Sequence, residues 1–121
     1  MEDQELQRTV TERALTDSGR YSVVHSVINA DFADMYLMNG DIDLILMDVF
    51  TAMGADGLEA AERIKRDYPH VKIIVTTSLP ETAWVDRARA AGVESFWYKE
   101  INTANILDIC DRTMAGESIY P

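Results

Sequence analysis

A single cysteine in 121 residues excludes an internal disulfide framework. Lys and Arg number only 11 against 21 Asp and Glu, a formal charge of −10. A chain so short of cations has no cluster with which to grip phosphates, which argues against direct contact with nucleic acid or an anionic membrane surface. No apolar run approaches the roughly 20 residues of a membrane span, and the polar, acidic N-terminus lacks the make-up of a secretory signal. The two histidines, His25 and His70, do not have metal-ligand spacing and read as surface or strand-face residues. Repeats and low-complexity tracts are also missing. These absences point to one soluble domain in a reducing, cytoplasmic setting. Its 47% hydrophobic content is enough to bury roughly two-thirds of the unfolded surface.

The apolar residues are arranged as alternating strands and helices. Leu6, Val10 and Ala14 make one helical stripe that ends near Ser18-Gly19, and Tyr21 to Ile28, rich in Val and Ile, reads as a strand. A short helix from Asp31 to Met38 closes at Asn39-Gly40. The unbroken run Leu44-Ile45-Leu46-Met47 then reads as a strand buried on both faces of a parallel sheet, with Asp48 at its carboxyl end. After a loop holding Gly54 and Gly57, Leu58, Ala61, Ile64 and Tyr68 form a helical stripe stopped by Pro69. Val71 to Val75 is the next strand, running into Thr76, Thr77 and Ser78. A helix from about Glu81 to Ala91 is broken by Gly92, and the aromatic strand Phe96-Trp97-Tyr98 ends at Lys99. Thr103 caps a last helix whose expected stripe is Leu107, Cys110 and Met114. Trp84 and Trp97 read either as anchors for a partner or as partly buried core. Such alternation predicts an α/β domain of three layers, helix over sheet over helix, doubly wound with right-handed crossovers. The domain is expected over residues 1–116, with 117–121 as the start of a linker.

Ligands in open α/β sheets bind at the carboxyl edge. Along this chain that edge receives Asp48, the Thr76-Thr77 pair and Lys99, with Glu2-Asp3 where the first helix begins. Taken singly, each has an ordinary explanation as a cap, a turn acid or a solvated charge. Taken together, the acids suit a hard divalent cation such as Mg2+, held between Asp48, Asp3 and, through water, Glu2. Close carboxylates repel, and a metal with Lys99 would keep Asp48 an anionic nucleophile towards a phosphoryl group.

Glu2-Asp3, Asp48, Thr77-Ser78 and Lys99, in this order and in these slots, resemble the receiver domain of two-component response regulators. The resemblance runs from Glu2 to about Gly116. It implies a flavodoxin-like sheet of order 2-1-3-4-5. It also implies that Asp48 accepts a phosphoryl group from a sensor histidine kinase, with Mg2+ bound by Asp3, Asp48 and the backbone carbonyl of Phe50 and assisted by Glu2. Lys99 then pairs with the phosphoryl oxygens, while Thr77 hydrogen-bonds one of them and moves to report it. Thr76 is the competing hydroxyl; Thr77 is preferred because a small residue, Ser78, follows it. Phe96 is the aromatic that changes rotamer with the switch. The helix after Pro80, the Phe96 strand and the last helix make the output and dimer face, with homodimers formed on phosphorylation. Contact with DNA falls to a separate helix-turn-helix output domain joined through residues 115–121, and no membrane is involved.

The resemblance is incomplete in three places. The family has an apolar strand before the acidic pair, whereas this sequence begins at the pair, so upstream residues or another segment are expected to complete the sheet. The loop after Asp48 lacks the usual Met-Pro and is one residue longer. Glu100 stands where proline commonly follows the lysine, which predicts a trans peptide. Phe50 and Leu79 flank the path of hydrolytic water; both are bulky and apolar, which predicts a long-lived phosphoryl group. Two rival readings stay open. One is a pseudo-receiver that binds proteins without phosphorylation. The other is an acid-nucleophile phosphatase, weakened because Phe50 occupies the place of its second acid.

Overall fold

The computed structural model describes residues 42–49, 57–77, 82–98 and 106–120, with residues 13, 15–19, 21 and 37 beside them. Three strands, β1 (Leu44–Asp48), β2 (Lys72–Thr77) and β3 (Ser95–Tyr98), alternate with the helices α1 (Gly57–Asp67), α2 (Thr82–Ala90) and α3 (Ile106–Met114). The strands pair in parallel in the order β1-β2-β3, with Asp48 opposite Thr76, Val75 opposite Phe96 and Thr77 opposite Tyr98. Parallel neighbours need a crossover, and α1 and α2 supply them. The expected strand at 21–28 and helix at 31–38 fall almost wholly outside the described residues.

Strand periodicity sorts the core into two layers. Met47, Ile73, Val75 and Phe96 join Leu58, Ala61 and Ile64 of α1 and Ala88 of α2 in one cluster. Ile74 and Trp97 face the other way, onto Leu15 and onto Ile106, Ile109 and Cys110 of α3. Helices thus cover both faces of the sheet, as the three-layer reading expects. β2 lies between two strands, and Ile73 to Thr77 are all buried. β1 is less enclosed than its apolar run suggests: Leu44, Ile45 and Leu46 are half-buried, although they still feed both clusters. Trp97 is core, and Trp84 is half-buried against the first cluster.

Helix α1 buries the expected Leu58, Ala61 and Ile64. Helix α3 differs from expectation. Its buried residues are Ile106, Ile109, Cys110 and Thr113, while Met114 is 37% exposed. The hydroxyls of Thr113 and Ser95 bond each other at 2.7 Å, so a polar residue takes the inner position and the apolar Met114 is turned out.

The amino edge of the sheet is pinned by two lysines. Lys65 Nζ reaches the carbonyls of Pro69 and Val71 at 3.2 and 2.9 Å and Glu94 Oε2 at 2.7 Å. Glu94 Oε1 accepts the Ile73 N–H at 2.9 Å. Lys72 Nζ donates to the carbonyls of Thr113 and Met114 at 3.0 and 3.3 Å, capping the C-terminus of α3.

Candidate functional site

The carboxyl edge of the sheet is formed by the last residues of the three strands. Asp48 ends β1 on the face shared with Leu44 and Leu46, and is half-buried. Thr76, its partner in register, is 3% exposed and donates its hydroxyl to Asp48 Oδ1 at 2.5 Å. A hydroxyl bonded to an ionised oxygen makes a short, strong contact, and it fixes the carboxylate about its last torsion. Thr77 projects to the opposite face and is also buried. The two hydroxyls that the sequence left in competition therefore occupy different sides of the strand end, with Thr76 on the carboxylate.

The backbone beyond Asp48 is equally constrained. Val49 N–H donates to the Thr76 carbonyl at 3.0 Å, and Gly57 N–H donates to the Val49 carbonyl at 2.8 Å. A Cβ on Gly57 would stand 1.6 Å from the Asp48 carbonyl oxygen. The first residue of α1 thus lies directly on the peptide that follows the carboxylate, a closeness open only to glycine.

Phe96 is buried at 2% exposure among the residues of the first cluster. Its N–H donates to the Ile119 carbonyl at 2.9 Å. Sequence reasoning passed over Ile119 and Tyr120. Their only signal was an apolar pair in a segment otherwise read as linker. Of the remaining expected site residues, Glu2, Asp3, Phe50, Leu79 and Lys99 lie outside the described residues, as does the peptide bond between Lys99 and Glu100. Among the described residues no three His, Cys, Asp or Glu side chains gather closely enough to hold a metal. The donor that is described, Asp48, offers oxygen, the atom type a hard cation takes. His70 is exposed, as expected of a surface residue. No described helix is long and apolar enough to cross a membrane.

The family model described as "Response regulator receiver domain" matches residues 1–111. The response regulator protein VraR of Staphylococcus aureus is 41% identical over 78 residues, covering 64% of this chain and 37% of that protein. The aligned stretch thus spans little more than a third of the relative. Two solved structures share the fold. A LuxR-family DNA-binding response regulator from Staphylococcus aureus has a TM-score of 0.83 at 17% identity, covering 93% of this chain and 92% of that one. A LuxR-family two-component response regulator from Aurantimonas has a TM-score of 0.79 at 24% identity, covering 95% of this chain and 79% of that one.

Proposed function

Since this chain belongs to the response regulator receiver family, whose model spans residues 1–111, we propose that it is the phosphoacceptor domain of a two-component system, with Asp48 as the nucleophile. One observation carries this reading: a half-buried carboxylate at the carboxyl end of β1, one oxygen of which is held by a hydroxyl at 2.5 Å. Such a group is oriented before its substrate arrives. An oxygen of Asp48 attacks the phosphorus of a phosphohistidine on a sensor histidine kinase. The new P–O bond forms as the P–N bond breaks, and the imidazole leaves with the bonding pair and takes up a proton.

Glu2, Asp3, Asp48 and the main-chain carbonyl of Phe50 are the oxygen donors suited to Mg2+, which when bound supplies positive charge against the phosphoryl oxygens. Lys99 adds an ammonium to those oxygens. Thr77, which starts on the face opposite Asp48, swings across the strand end to hydrogen-bond one of them, and Phe96, on the face that Thr77 leaves, follows. Phe50 and Leu79 orient no water, so the acyl phosphate is long-lived and Phe50→Asn shortens its life. The face built by α2, β3 and α3 passes the change to an output domain and forms a homodimer. The DNA-binding role named for the Staphylococcus aureus structural neighbour supports a DNA-binding output. The chain's own chemistry is confined to gaining and losing this group, in the cytoplasm.

Incubation with Mg2+ and acetyl phosphate, read by intact mass, is expected to add one phosphoryl group to the parent and none to Asp48→Asn. No gain in the parent leaves the pseudo-receiver, and sustained phosphate release at a constant rate marks the phosphatase.

A further inference from the structure

Residues 117–120 do not leave the domain at the end of α3. Gly116, at φ 104°, turns the chain in the left-handed region, and Glu117 N–H returns to the Arg112 carbonyl at 3.0 Å. Glu117 Oε1 then takes two bonds from the Arg112 guanidinium, at 3.2 and 3.0 Å. Past that clasp the tail lies along the edge of β3 that β2 does not use. The Ile119 carbonyl accepts from Phe96 N–H at 2.9 Å, and Ile119 N–H donates to Ser95 Oγ at 3.2 Å. Tyr120 donates its phenol to the Val93 carbonyl, and the Arg89 guanidinium stacks 4.6 Å above its ring. Ile119 packs on the α3 side of the sheet and Tyr120 on the α1–α2 side, so the tail bridges both layers.

We propose that residues 117–120 form a strap, docked in cis as an added strand-like segment on β3 between α2 and α3, which closes this face to other chains until the switch releases it. The Phe96 N–H bond to the Ile119 carbonyl and the Ile119 N–H bond to Ser95 Oγ tie the strap to β3, and the Tyr120 ring under Arg89 gives the register. An uncovered edge would invite a second copy, and the strap removes that edge. Its anchor is connected to the site. Phe96, whose N–H holds the strap, is opposite Val75, and Val75 precedes Thr76, the residue that holds Asp48. Displacement at the end of β2 therefore acts on the strand that carries the strap. This coupling rests on the receiver reading; the docking itself does not.

Hydrogen exchange followed by NMR separates the two. In Tyr120→Ala the Phe96 amide is expected to exchange about tenfold faster while the Ile74 amide keeps its protection. Tyr120→Phe, which keeps the ring, and Arg89→Ala, which changes an exposed side chain, are each expected to give a smaller acceleration confined to the same amide. Phe96 exchange unchanged in Tyr120→Ala and Arg89→Ala overturns the strap. Next, the parent is treated with Mg2+ and acetyl phosphate and its mass gain is checked. Phe96 exchange is expected to accelerate in the parent and not in Asp48→Asn. A mass gain without faster exchange overturns the release. The absence of any mass gain refutes the receiver reading and the release with it, leaving the docking to be judged by the Tyr120 and Arg89 variants.

Discussion

A carboxylate with one oxygen held at 2.5 Å by a buried hydroxyl loses a torsion that a free side chain would have to freeze on the way to reaction. Thr76 is accordingly a positioning residue for Asp48. Thr76→Val keeps the shape and removes the bond, and is expected to slow phosphorylation by acetyl phosphate about tenfold at saturating donor, the effect of roughly one hydrogen bond to a charged group. Thr76→Ser should restore most of the rate with half-saturation unchanged, which stopped-flow or mass kinetics would read. Cys110 sets a different dependence. Burial first, and Asp111 second, push its thiol from 9.0 up to about 12. The native state therefore keeps a proton that the unfolded chain releases. The stability due to this thiol is complete below pH 9 and declines above it, by about 1.4 kcal/mol per pH unit, until the folded thiol also ionises near 12. Urea unfolding of the parent between pH 8 and about pH 10.5 is expected to weaken more steeply than that of Cys110→Ala. At this scale the place of Asp48 was legible because the apolar run before it fixes where β1 ends; its proposed role came from the company of Glu2, Asp3, Thr77 and Lys99, since a strand-end acid taken alone is an ordinary turn or cap residue. The bond from Thr76 was not, since two adjacent threonines differ only in which face each takes, and that is decided by the register of β1 on β2.

Each element was legible where its pattern was unmixed. Leu58, Ala61 and Ile64 repeat at helical spacing, and the residues between them are polar or small, so the inner face of α1 follows directly. Helix α3 carries adjacent apolar pairs at Ile106-Leu107 and Ile109-Cys110, which leave its inner stripe open to two readings, and hydropathy alone favours Met114 over Thr113. The inner place went to Thr113 because Ser95 offers it a hydroxyl across the interface, a pairing between residues distant in sequence. The joint between β1 and α1 depends on a single glycine. Gly57→Ala forces a Cβ into the Asp48 peptide, where it would stand 1.6 Å from the carbonyl oxygen. The strand end and helix start must then separate, and a loss of about 2–4 kcal/mol in urea unfolding is expected, together with slower phosphorylation because Asp48 moves with its backbone. Gly57→Ser should be at least as damaging.

Across the whole molecule, the alternation of strands and helices was enough to infer parallel pairing and helices on both faces, because only crossovers join parallel neighbours. The relation of the tail to β3 was beyond that logic. Four polar-to-apolar residues after a helix carry no periodicity, and their place is set by Phe96 and Val93 main-chain groups that no side-chain pattern reveals. The lysine pins at the amino edge give a whole-molecule prediction. Lys65 is only 10% exposed and joins the end of α1 to the loop before β2 and, through Glu94, to the entry of β3. Lys65→Met keeps the aliphatic stem and leaves Glu94 one N–H partner, so the expected cost is about 2–3 kcal/mol, seen as a lower Tm. Because Lys65, Glu94 and Lys72 bind one margin of the sheet so firmly, the strands resemble pages sewn along a spine. The strands themselves part only at the far margin, while the strap, held by Val93, Ser95 and Phe96, lifts beside the spine, so a charge arriving at Asp48 acts at the long end of a lever whose fulcrum is a pair of lysines.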